Sequence, residues 1–252
     1  MREVSSRDLW VLDLERNTRT KLTFAGNFNT QPAWSADGTQ IVYRDNTGNA
    51  LYVVSADGTS DRRLIVKGGF FRWLSPDGRW IAYAARGEAA QDRDLFMRRF
   101  DDADTTTVQL IRANGDQHFP TVSPDGKLLA YSSNESGLSQ IYLTTFRAPA
   151  GKWQVSVEES DWPIWTSAGD RLYFCSDASI QYVSVEPGPP VRLGAPTNVV
   201  DVHKAHIETW GFRKIAIAPD GKRVLAVQTV IDEARSNGIV VVENWLEETA
   251  KR

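Results

Sequence analysis

Five side chains occur at one repeated offset, eight residues before a glycine: Thr30 before Gly38, Phe70 before Gly78, His118 before Gly126, Asp161 before Gly169 and Arg213 before Gly221. An imidazole, a carboxylate and a guanidinium converging from separate segments could hold a polar or charged ligand, or supply groups for acid–base chemistry. One position nearer the glycine lie Gln31, Phe71, Phe119, Trp162 and Lys214, a set rich in flat aromatic faces. The same residues are also what a folded rim uses to satisfy backbone groups, pair charges and pack one segment on the next. Both readings are open on the sequence alone.

Other chemistry finds less support. His203, His206 and Glu208 form an HxxHxE cluster, but imidazoles three apart share a metal only on a helical turn or a tight loop, and a solvated loop is the alternative. The acidic run at residues 101–104 lacks the alternating oxygen ligands and closing glutamate of a calcium loop and reads as a turn. There is no GxSxG elbow and no phosphate-binding glycine loop, and Cys175 sits in the run LYFC as a small buried hydrophobe. With three histidines in the chain, a general base would be His118 by position. Asp116 or Asp161 could face another acid for glycoside chemistry, but no spacing selects either. No motif implies a cofactor.

Composition narrows the partners. The 252 residues are 41% hydrophobic and 24% charged, ordinary globular proportions, and nine tryptophans suit sheets packed face to face. A formal net charge of −3 without a Lys/Arg block argues against nucleic acid, which rewards a positive surface. The single cysteine excludes an intramolecular disulfide and a cysteine-based zinc cage. No stretch of roughly 18 apolar residues could span a membrane, and MREVSSRDLW has no apolar signal core. The chain therefore reads as soluble, its compartment set by any segment upstream of Met1.

The elements that would carry these residues repeat. Asp precedes the glycine at Asp37, Asp77, Asp125 and Asp220, with Ala168 in the remaining copy. A small residue stands three before it at Ser35, Ser75, Ser123, Thr166 and Ala218, and Tyr43, Tyr83, Tyr131, Phe174 and Ala226 follow five after. The glycines are 40, 48, 43 and 52 residues apart. Each copy reads as strand, Asp-Gly turn, strand, because glycine accepts the positive φ of a tight hairpin. Alternating runs such as ALYVVSA, DLFMRRF, QIYLTTF, IQYVSV and GIVVVENW predict a third strand, and RRLIV, VQLIR and KWQVSV a fourth.

Four antiparallel strands every ~45 residues define the blade of a β-propeller. The expected architecture is all-β, a single domain over residues 1–252, with copies at about 29–66, 69–112, 117–158, 160–200 and 209–246. Residues 8–24 read as a partial blade with no inner hairpin. Six blades with one incomplete is the preferred closure. Five blades completed by the N-terminal strands is the alternative, and an unpaired inner edge could instead promote self-association. The loops at 85–94 and 229–238 should share the rim with the leading strand ends.

The segments QPAWSADGTQIVY, FRWLSPDGRWIAY and FPTVSPDGKLLAY resemble the TolB-type propeller repeat, and the resemblance extends over essentially the whole chain. Further along, YSSNESGLSQIYLTTF, GKWQVS, WPIW and VVVENWLEE resemble the C-terminal propellers of bacterial serine/threonine protein kinases. That resemblance implies a sensing or protein-binding role, on the far side of a membrane in the periplasm if attached to a membrane-anchored kinase and in the cytoplasm otherwise; HRD and DFG motifs are absent here. The expectation is a non-catalytic propeller that binds a protein or small polar ligand. A hydrolase or lyase with a His/Asp/Arg site, with or without a metal, is the rival.

Overall fold

A serine hydroxyl and an aspartate two residues on build the turn that each blade is hung from. In the computed structural model Ser35 Oγ donates to Asp37 Oδ1 at 2.6 Å and accepts from the Gln40 amide at 2.9 Å, while Asp37 also accepts from the Thr39 amide at 3.0 Å. Gly38 then closes the turn at φ 71°, its amide bonded to the Ser35 carbonyl. Ser123 and Asp125 repeat the arrangement at 2.6 Å, and Ser75 and Asp77 do likewise. Where Ala168 replaces the aspartate, Thr166 Oγ1 donates instead to Asp170 Oδ1 at 2.7 Å. The same turn recurs between a second pair of strands at Ser55, Asp57 and Gly58.

The structure describes residues 7–24, 27–86, 92–100, 106–186, 188–207, 215–218 and 221–227, with backbone alone at Phe71 and Arg72. Two compact units divide the chain, Met1–Ala113 and Asn114–Arg252. In the first, a hairpin of β1 (Trp10–Asp13) and β2 (Thr18–Lys21) precedes two antiparallel four-stranded sheets. One holds β3 (Asn29–Trp34), β4 (Gln40–Asp45), β5 (Ala50–Ser55) and β6 (Arg63–Lys67); the other holds β7 (Phe70–Leu74), β8 (Trp80–Arg86), β9 (Arg93–Arg99) and β10 (Thr107–Ile111).

The second unit opens with β11 (Gln117–Val122), β12 (Leu128–Ser133), β13 (Gln140–Thr145) and β14 (Trp153–Gln154). Its next sheet is β15 (Ser160–Trp165), β16 (Arg171–Ser176) and β17 (Ser179–Glu186), whose outer edge is shared by two short strands, β18 (Arg192–Leu193) and β19 (Thr197–Asp201). A last described hairpin pairs β20 (Ile215–Ile217) with β21 (Val224–Ala226). The predicted third strand at 238–245 lies outside the described residues, as do 101–104 and the loop at 229–238. Among the described residues there is no helix.

Sheets pack face to face within each unit. Along a second strand, successive side chains face opposite neighbouring sheets, as strand alternation requires. Val42, Leu51 and Val53 thus meet Ile81, Tyr83 and Phe100. Ile41, Tyr43 and Val54 instead meet Leu9 and Val11 of the first hairpin. In the second unit Leu128, Ala130, Ile141 and Leu143 pack on Leu172 and Phe174, and Tyr173, Cys175 and Ile180 on Ile215 and Val224. The all-β, propeller-type organisation expected from the repeats is what the chain adopts.

Candidate functional site

Four leading strands carry one residue too many. Along β3 the register slips between Thr30 and Ala33, along β7 between Phe70 and Arg72, along β11 between His118 and Thr121, and along β15 between Asp161 and Ile164. These are one-residue bulges at the same place in four copies, and Gln31 (φ 53°), Phe119 (φ 51°) and Trp162 (φ 64°) occupy them in left-handed backbone. For side chains of this size that conformation costs roughly 1–2 kcal/mol each. A bulge re-aims the residues around it, and here those are the residues at the repeated offset.

In the second unit the re-aimed side chains meet. His118 Nε2 lies 3.1 Å from Asp161 Oδ1, and Ser139 Oγ donates to the same oxygen at 2.8 Å. An ionised carboxylate only accepts, so the proton joining the pair is on His118 Nε2. Asp161 Oδ2 has no hydrogen-bond partner among the described residues, and the Asp161 side chain is one-third exposed. Beside the pair, the Phe119 and Trp162 rings lie against each other, tilted by 33° with centroids 3.6 Å apart, and His118 meets Phe119 edge-on at 4.5 Å. The connected groups run Ser139, Asp161, His118, with the carboxylate in the middle. A nucleophilic triad needs the imidazole in the middle, so Ser139 is not activated by this arrangement.

The first unit treats its two positions differently. Thr30 is buried, and its hydroxyl accepts from Asn46 Nδ2 at 2.8 Å. Gln31 turns its Oε1 into a buried position without a hydrogen bond. Phe70 lies under a guanidinium, with Arg44 Cζ 3.8 Å from its ring centre. Arg213 and Lys214 lie outside the described residues. His203 and His206 are exposed in a turn after β19, where Asp201 Oδ1 accepts from the His203 and Lys204 amides; Glu208 is outside the described residues. Among the described residues no three His, Cys, Asp or Glu side chains gather as a metal site would require.

Sequence reasoning missed Ser139 and Arg44. Ser139 sits in a turn that the repeat does not index. Arg44 did leave a signal: six after the glycine the other copies have Ala84, Ser132, Cys175 and Val227, and a charge there, in a strand otherwise buried, was out of pattern.

Turn-anchored four-stranded sheets with a bulged leading strand define a β-propeller-type protein. The chain belongs to the TolB β-propeller family, whose domain model matches residues 1–160. It is similar to TolB from Acinetobacter baumannii, with a TM-score of 0.66 at 16% identity over 90% of this chain and 56% of that one. Oligogalacturonate lyase from Vibrio parahaemolyticus aligns at a TM-score of 0.62 and 11% identity over 92% of this chain and 66% of that one. An uncharacterized protein of Agrobacterium fabrum is 28% identical over 135 residues, 49% of this chain and 46% of the relative. The chain thus matches about half the length of that relative and of TolB. No helix among the described residues is long and apolar enough to cross a membrane.

Proposed function

We propose that the chain is a non-catalytic binding module, a single propeller domain over residues 1–252, that takes a protein segment or small polar ligand at the bulged ends of its leading strands. One observation carries this reading: His118 and Asp161 are held together on strained bulges, flanked by the Phe119–Trp162 ring contact, with one carboxylate oxygen uncommitted among the described residues. A carboxylate beside aromatic faces favours a cationic or N–H-donating group on the ligand.

The test is titration with two capped tripeptides, Gly-Lys-Gly and Gly-Glu-Gly, followed by the Trp162 indole and His118 ring resonances. Saturable shifts with the lysine peptide, weakened roughly tenfold in Asp161→Asn by loss of one charge-assisted hydrogen bond, are expected. Equal shifts with both peptides, or no change in the variant, would refute the site.

The wider setting we propose is the sensor portion of a larger bacterial signalling protein, in the periplasm when tethered to a membrane-anchored kinase. Its support is the kinase-propeller resemblance in the second half of the chain. We favour six blades with one incomplete, which leaves self-association open to measurement by sedimentation. A lyase or hydrolase is the second reading, favoured by an imidazole and a carboxylate within proton-transfer distance. Incubation with oligogalacturonate and manganese discriminates: turnover abolished by His118→Ala would overturn the binding reading.

A further inference from the structure

We infer that the first unit carries a site for a small oxyanion, the carboxylate or phosphate of a ligand, formed by Arg44 and Arg93 over the ring of Phe70. Arg44 is on β4 as the cross-strand partner of Thr30 and is only 8% exposed. Its Nη2 donates to Asn49 Oδ1 at 2.9 Å, its Nε is buried without an acceptor, and among the described residues no carboxylate pairs with it. Its guanidinium carbon stands 3.8 Å from the Phe70 centroid, and that of Arg93 stands 5.3 Å from the same point.

A guanidinium does not shed its proton, so Arg44 is a buried cation whose counter-charge is missing. Two other stacked cations of this unit are neutralised. Arg62 lies over Tyr52 and pairs with Asp45 at 2.9 Å, and Lys21 lies over Trp10 and pairs with Asp8 at 2.7 Å. At Phe70 the second charge is instead another guanidinium. Burial, and then the Arg93 charge, hold Arg44 below the usual guanidinium range. Arg93 has further contacts of its own, so the unmet demand is that of Arg44. An oxyanion accepting from the Arg44 and Arg93 guanidinium N–H groups would supply the missing counter-charge and relieve the repulsion together, and the planar fork suits two oxygens at once. The site stands apart from the His118–Asp161 reading, whose residues belong to the other unit.

The experiment titrates the whole chain with citrate and with inorganic phosphate at ionic strength matched with sodium chloride, following the Arg44 Nε–H resonance and the unfolding temperature. Saturable displacement of that resonance and a rise in unfolding temperature with either anion are expected, and the tighter of the two names the source. Arg44→Met should abolish the response, and Arg93→Gln should weaken it roughly tenfold, as loss of one charge-assisted contact does. Arg93→Gln removes the less buried partner and serves where Arg44→Met fails to fold. A response equal to that of sodium chloride, or one unchanged in Arg93→Gln, would overturn the proposal.

Discussion

At the scale of single residues, the turn serine is worth more than its size suggests. The Ser35 hydroxyl, then the Thr39 amide, hold the Asp37 carboxyl down at about 2, and Ser55 does the same for Asp57. Removing the hydroxyl in Ser35→Ala should bring the Asp37 titration midpoint up from about 2 toward the ordinary 3.8, read by side-chain carbon shifts. It also strips the Gln40 amide of its acceptor, a loss on the order of 1 kcal/mol. Because the Thr39 amide still reaches Asp37, the midpoint should stop short of the ordinary value. An unmoved midpoint would mean the hydroxyl does not bind the carboxylate in solution.

At the scale of elements, the bulge separates the cost of shape from the cost of packing. Gln31 has a left-handed backbone and a buried amide oxygen with no partner, so Gln31→Gly should be neutral or stabilising by about 1 kcal/mol in urea unfolding. Leu143→Ala, on a strand where the side chain is fully buried between two sheets, should cost about 2–5 kcal/mol. A Gln31→Gly loss comparable to that of Leu143→Ala would show that the glutamine is not strained. The strands themselves were legible because Asp-Gly turns and period-two alternation are local properties. The bulges were not, since Gln31, Phe119 and Trp162 are not residues that favour positive φ. Their repeated offset was visible, but the meeting of His118 with Asp161 is a contact between sheets 43 residues apart. Ser139 joins them from a turn that no repeat position marks.

For the whole molecule, the turn aspartates Asp37 and Asp57 contribute to the response to acid. Their folded pKa values lie below the unfolded ones, so they stabilise the fold above about pH 4 and that contribution disappears as pH falls toward about 2. Asp94, raised by burial, has the opposite sign and favours the fold at low pH. A Ser35→Ala/Ser55→Ala double variant should therefore be less stable than its parent at pH 6, with the gap narrowing as pH is lowered to 2.5. A gap of constant size would assign the acid response elsewhere.

The exchange of partners at the fourth turn bears on how such chains drift. Thr166 keeps its bond by reaching Asp170 once Ala168 offers none, and the sheet from Ser160 onward forms as the others do. The family match ends at residue 160, immediately before this copy. At this turn the accepting carboxylate stands two places further along the chain than in the first copy, and the hydroxyl still finds it. Blades can therefore outlive the spelling by which they are found.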